Sequence, residues 1–127
     1  MRYTCSVTKK IPAPWELGKR YFNGAGSEEP GGKRFVRAID IQTGNAVWNY
    51  ELPARSSSGT LTTKGGLVFF GDGTGALAAL DAKTGAPVWH FQANQGWRAS
   101  PMSYMVGGKQ YVAIAGPSGY FAFALTD

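Results

Sequence analysis

Paired carboxylates are the usual tool for general acid–base work, and the chain carries a regularly spaced pair, Asp40 and Asp81. Each opens the same Asp-x-x-Thr-Gly turn, so the two occupy equivalent outer turns of successive repeat units and cannot act together on one substrate. His90 is the one histidine, and a lone imidazole without partners makes neither a metal site nor a triad. Cys5 is the one cysteine, which excludes an internal disulfide and a cysteine-based metal site; it reads as a small buried residue. Gly71-Asp72-Gly73-Thr74-Gly75 has the look of a phosphate-cradling loop, but it joins two strands with no helix N-terminus behind it, so a hairpin turn is expected. The remaining groups suited to ligand work are Arg55, Ser58, Asn94, Gln95, Trp97 and Arg98. A guanidinium fork binds carboxylates bidentately, and a tryptophan can wall a flat aromatic ligand.

What positions these residues is a set of short strands. The 127 residues are 43% hydrophobic and 13% aromatic, with 18 glycines and 7 prolines. Such length fits one domain with a real core, and Thr/Val/Phe-rich runs broken by glycine point to strands and tight turns. No sustained helical periodicity occurs; the longest candidate, Pro14 to Tyr21, is short and contains Gly18. The net charge of +5 is spread over turn positions such as Lys33, Lys64, Lys83 and Lys109. A nucleic-acid surface needs clustered cations with stacking aromatics, so none is expected. No window approaches the roughly 20 apolar residues of a membrane span, and the first residues lack the apolar core of a signal peptide.

The strongest signal is an internal repeat. Ala38-Ile39-Asp40-Ile41-Gln42-Thr43-Gly44-Asn45-Ala46-Val47-Trp48 recurs 41 residues later as Ala79-Leu80-Asp81-Ala82-Lys83-Thr84-Gly85-Ala86-Pro87-Val88-Trp89. A period of about 40 with strand-like content is that of propeller blades. Asp starts the turn by accepting amide hydrogen bonds, Thr-Gly closes it, Val re-enters a strand, and Trp is expected in the contact with the next blade. The expected strands are Lys33–Ile41 and Asn45–Glu51, then Ser58–Thr63, Leu67–Gly71, Ala76–Ala82 and Pro87–Gln92. Arg98–Tyr104, Gln110–Ala115 and Tyr120–Leu125 follow, with Arg2–Thr8 at the front and no strand pattern between residues 9 and 32. The fold class is therefore all-β, a partial β-propeller of roughly two and a half four-stranded antiparallel blades, below the roughly four to eight that close a ring. Residues 1–57 form an incomplete first blade with a long 9–32 loop, 58–92 a full blade, and 93–127 an incomplete last blade. An open piece leaves edges and a blade face bare, so a homo-oligomer or the rest of a propeller is the expected partner.

The two Trp-bearing repeats, with Leu61-Thr62-Thr63-Lys64-Gly65-Gly66-Leu67-Val68-Phe69-Phe70-Gly71 and Ala99-Ser100-Pro101-Met102-Ser103-Tyr104 through Gly108-Lys109-Gln110-Tyr111-Val112-Ala113, resemble the C-terminal blades of the PQQ-dependent quinoprotein alcohol and sugar dehydrogenases. That resemblance implies an eight-bladed, usually periplasmic bacterial propeller holding PQQ and a calcium or lanthanide ion on its axis. It implies oxidation of alcohols or sugars, in which a carboxylate takes the hydroxyl proton and hydride passes to the quinone. Catalytic aspartate, metal ligands and the tryptophan floor under PQQ lie on earlier blades in the family, so no catalytic or metal residue is expected here. The family's vicinal cysteines and a Cys-x-x-Cys-His haem motif are missing, and Arg55-Ser56-Ser57-Ser58-Gly59 lacks the tryptophan many members carry there.

In propellers, ligands sit where an outer strand crosses to the next blade's innermost strand, here Leu52–Ser57 and Ala93–Trp97. Arg55, Ser58, Asn94, Trp97 and Arg98 are therefore the expected cofactor contacts. The plainer reading makes these ordinary polar crossovers with one packing tryptophan. Two functions compete: part of a PQQ-dependent dehydrogenase, inactive alone, or a non-catalytic propeller scaffold that binds extended peptides. The Ser-Pro-Met-Ser-Tyr and Gly-Lys-Gln-Tyr-Val segments favour the former.

Overall fold

Aspartate-centred turns set the strand order in the computed structural model, which describes residues 4–7, 16–18, 25–28 and 33–125. In each repeat the aspartate carboxylate gathers the turn's donors. Asp40 Oδ1 accepts from the amides of Gln42 and Thr43 at 2.9 and 2.8 Å and from the Thr43 hydroxyl at 3.0 Å. Asp81 repeats the pattern with Lys83 and Thr84 at 3.0, 2.8 and 2.9 Å. These bonds favour the ionised form, led in each case by the threonine amide and then its hydroxyl, and hold both carboxyls below their usual pKa.

Residues 1–33 and 34–127 form two units. In the first, β1 (Thr4–Val7) pairs antiparallel with β2 (Ala25–Glu28), with Cys5 opposite Ser27. Strand β2 falls in the stretch expected to be strandless. Ala-Gly-Ser-Glu has no β-branched or aromatic residue, so pairing with β1 and not propensity makes it a strand. The other expectations for residues 9–15, 19–24 and 29–32 lie outside the described residues.

The second unit holds three antiparallel sheets. Strands β3 (Phe35–Ile39) and β4 (Ala46–Glu51) form a hairpin. A complete four-stranded blade follows in the order β5 (Thr60–Thr62), β6 (Leu67–Gly71), β7 (Ala76–Asp81) and β8 (Pro87–Gln92). The last sheet joins β9 (Met102–Val106), β10 (Lys109–Gly116) and β11 (Gly119–Ala124). Strand β9 starts four residues later than expected, because Pro101 has no amide for a ladder and the preceding residues belong to a crossover. No helix occurs among the described residues.

The core lies between the blades. On one side of the full blade, Phe70, Ala78 and Leu80 pack with Val36, Trp48, Tyr50 and Leu52. On the other, Leu77 packs with Trp97, Ile114, Phe121 and Phe123. Tyr50 meets Phe70 edge-on at 5.8 Å, and Trp89 meets Phe123 at 5.3 Å. The first junction shows what the repeat's tryptophan does. The Trp48 indole donates to the Ala82 carbonyl at 2.9 Å and lies over Gly85. A Cβ at Gly85 would sit 2.6 Å from the ring, and its φ is 72°, so the position takes glycine for both reasons. The structure is thus all-β and a partial propeller.

Candidate functional site

The crossovers need polar side chains because they carry carbonyls and amides past blade ends without a ladder to satisfy them. The 52–59 crossover uses serines. Ser56 donates its hydroxyl to the Gly71 carbonyl and accepts from the Ser58 amide at 3.1 Å. Ser58 Oγ accepts from the Gly71 amide at 3.0 Å, and its one proton is shared between the Gly59 and Ala99 carbonyls at 2.9 and 3.0 Å. The bond to Ala99 ties the mouths of two successive inner strands, and Gly59 lies in contact with Ser100 in the same seam. Ser58 is therefore a structural tie with its hydroxyl engaged inside the protein.

The 93–99 crossover is held by amides. Gly75 O accepts from the amides of Ala93 and Gln95 at 3.2 and 3.3 Å. Asn94 takes a positive φ of 54°, and its Oδ1 accepts from Gln92 Nε2 at 2.9 Å. Gln95 reaches into the next sheet: its Oε1 accepts from the Ser118 hydroxyl at 2.9 Å and the Ser118 amide at 3.3 Å, while Nε2 donates to Ala93 O. This bridge clamps the β10–β11 turn to the crossover. Gln95 stood among the crossover residues in the sequence, but nothing there marked it as the one that spans two blades.

Trp97 lies in the core between the full blade and the last sheet. It is only 3% exposed, packs against Leu77, Ile114 and Gly71, and meets Phe121 edge-on at 5.5 Å. Its Nε1 is buried and has no hydrogen-bond partner among the described residues. Gly71 is small because the Trp97 ring occupies the space a Cβ would take. Arg55, Asn94 and Arg98 are exposed at the same end of the sheets. That end is fixed by the β6–β7 turn, where Gly73 lies against the backbone of Ala54 and Arg55, and Gly75 against Asn94 and Gln95. Of the five expected contacts, then, Arg55, Asn94 and Arg98 are exposed, Ser58 lies between strand mouths, and Trp97 is buried in the core.

Two concavities flank the full blade. One of about 290 Å³ is lined by Ser56, Ser58, Thr60, Leu52, Phe70 and neighbouring β3 residues. The other, about 900 Å³, runs along Phe69, Val88, Trp89, Phe123 and Leu125. Among the described residues no group of three His, Cys, Asp or Glu side chains is placed to hold a metal ion. Asp40 and Asp81 sit in separate outer turns, and His90 is an exposed residue on β8.

Residues 54–112 match the family model for the glucose/ethanol/alcohol dehydrogenase β-propeller domain. Over 79 residues the chain is 46% identical to the quinoprotein alcohol dehydrogenase PedH of Pseudomonas putida, a match covering 62% of this chain and 13% of that protein. The structure is similar to that of the quinohemoprotein alcohol dehydrogenase from Comamonas testosteroni, with a TM-score of 0.66, 36% identity and coverage of 78% of this chain and 16% of the other. It is also similar to a europium-containing methanol dehydrogenase, with a TM-score of 0.69, 25% identity and coverage of 89% and 22%. The chain thus spans a small part of the length of each.

Proposed function

Because the chain belongs to the PQQ-dependent alcohol dehydrogenase family, we propose that it supplies propeller blades to a quinoprotein that oxidises alcohols or sugars and is not catalytic by itself. Its place in that reading is C-terminal, periplasmic, and beside a quinone whose oxidising chemistry requires PQQ with a calcium or lanthanide ion. The observation that carries the reading is the match over both crossovers and the full blade, together with the Trp48–Gly85 docking that the repeat exists to make. The chain's own residues would contribute rim contacts. Arg55 and Arg98 would pair with carboxylates of the tricarboxylate quinone, and Asn94 would offer its amide beside them. Ser58 and Trp97 hold that rim in place, one by tying strand mouths and the other by filling the core behind it. No step of the oxidation is assigned to a residue of this chain.

Equilibrium dialysis of PQQ with calcium against the chain tests the rim. Wild type is expected to retain PQQ weakly, and each of Arg55→Ala and Arg98→Ala to weaken retention about tenfold. No retention by wild type, or equal retention by the variants, would remove these residues from the cofactor site.

A further inference from the structure

Among the described residues Asn94 is the one non-glycine with a positive φ, 54°, and it stands exposed in the crossover after β8. Asparagine tolerates that conformation, which persists where the surrounding structure fixes it. The β6–β7 turn does so from two sides. The Gly75 carbonyl accepts from the amides of Ala93 and Gln95, at 3.2 and 3.3 Å, and so holds the backbone on both flanks of Asn94. The turn is itself held by Asp72, whose Oδ1 accepts from the Thr74 and Ala76 amides, each at 2.9 Å. Gln92, the last residue of β8, carries the hold to the Asn94 side chain. Its Nε2 donates to the Thr74 carbonyl at 3.1 Å and to Asn94 Oδ1 at 2.9 Å. Chemistry dictates the order of these bonds. A main-chain carbonyl only accepts, so the end of Gln92 that meets Thr74 is its NH2, and the end of Asn94 that meets this NH2 is its oxygen. The Asn94 NH2 is thereby left on the other side of its carboxamide.

We propose that Gln92 is a positioning residue, which holds the Asn94 carboxamide by its oxygen and leaves its two N–H donors for an acceptor oxygen of a ligand at the crossover end. In taking the quinone's carboxylate or carbonyl oxygens as that acceptor, the inference rests on the proposed function. The orientation of Asn94 is a property of this chain alone, so the two are tested separately. Gln92 acts through Asn94, and its removal is expected to matter only while Asn94 has a side chain to orient.

Three variants of the whole chain test it. Gln92→Met keeps the length of the side chain without its donors, and Asn94→Gly keeps the backbone conformation without the carboxamide. The third variant combines both. Heteronuclear NMR relaxation without PQQ is expected to show the Asn94 NH2 ordered in wild type and loosened in Gln92→Met. Equilibrium dialysis with PQQ and calcium is expected to show retention weakened about threefold by Gln92→Met and about tenfold by Asn94→Gly. The double variant is expected to match Asn94→Gly alone. Equal order of the Asn94 NH2 in wild type and Gln92→Met would overturn the proposal, whatever PQQ does. So would a double variant that loses the product of the two single effects, since Gln92 would then act by a route other than Asn94. Loss of Asn94 order in Gln92→Met with no PQQ retained by any of the proteins would sink the cofactor reading and uphold the orientation by Gln92.

Discussion

At the residue scale, the Asp40 and Asp81 turns depend on ionised carboxylates, and this makes the fold acid-sensitive in a defined direction. Both folded-state pKa values lie below the ordinary one because threonine amides and hydroxyls donate to the anion. The stabilisation is fully present above the unfolded pKa of about 4 and is lost as pH falls through the lower folded value. The thermal midpoint of wild type is therefore expected to drop below about pH 4, and to drop less in the Asp40→Asn/Asp81→Asn double variant, which starts lower at neutral pH. Parallel pH profiles of the two proteins would refute this. Trp48→Phe keeps most of the ring but removes the bond to Ala82 O, an expected loss of about 1 kcal/mol in denaturant titration. The aspartate roles could be read from Asp-x-x-Thr-Gly alone, since that turn is satisfied locally. The packing of Trp97 could not: a crossover tryptophan reads the same in any setting, and its burial against Leu77, Ile114 and Phe121 depends on residues distant in sequence.

At the scale of elements, strands whose residues alternate or run apolar were legible, and Leu67–Gly71 and Pro87–Gln92 form with the expected bounds. Those made by their partners were not. Ala25–Glu28 is a strand through β1, and the start of β9 is delayed by Pro101 and the crossover before it. The full blade is the most deeply packed element, with Leu77 fully buried between two sheets. Leu77→Ala is expected to cost about 2–5 kcal/mol, read as a lower denaturation midpoint at unchanged m-value. Gln95→Ala, which releases Ser118 and the β10–β11 turn, is expected to cost about 1–2 kcal/mol. Hydrogen exchange should then quicken in residues 116–119 before it quickens in β7. Uniform quickening would show that Gln95 does not act as a local clamp.

At the largest scale, within residues 34–125, repeated docking turns and a shared direction of blade packing set three sheets side by side in an arc. The arc brings crossover residues to one end, which is why the site is an assembly of connections and not a motif on one element. Arg55, Asn94 and Arg98 stand there, while no cluster of carboxylates or imidazoles among the described residues can hold a metal. On the proposed function, the chain is expected to lend a rim to the quinone site without supplying the oxidation itself. Dye reduction by the purified chain with PQQ, calcium or a lanthanide, and a primary alcohol is the most direct test. The expected rate equals that of the same mixture without protein. A protein-dependent rate that requires both PQQ and alcohol would contradict it, and would mean that these blades hold a working centre of their own.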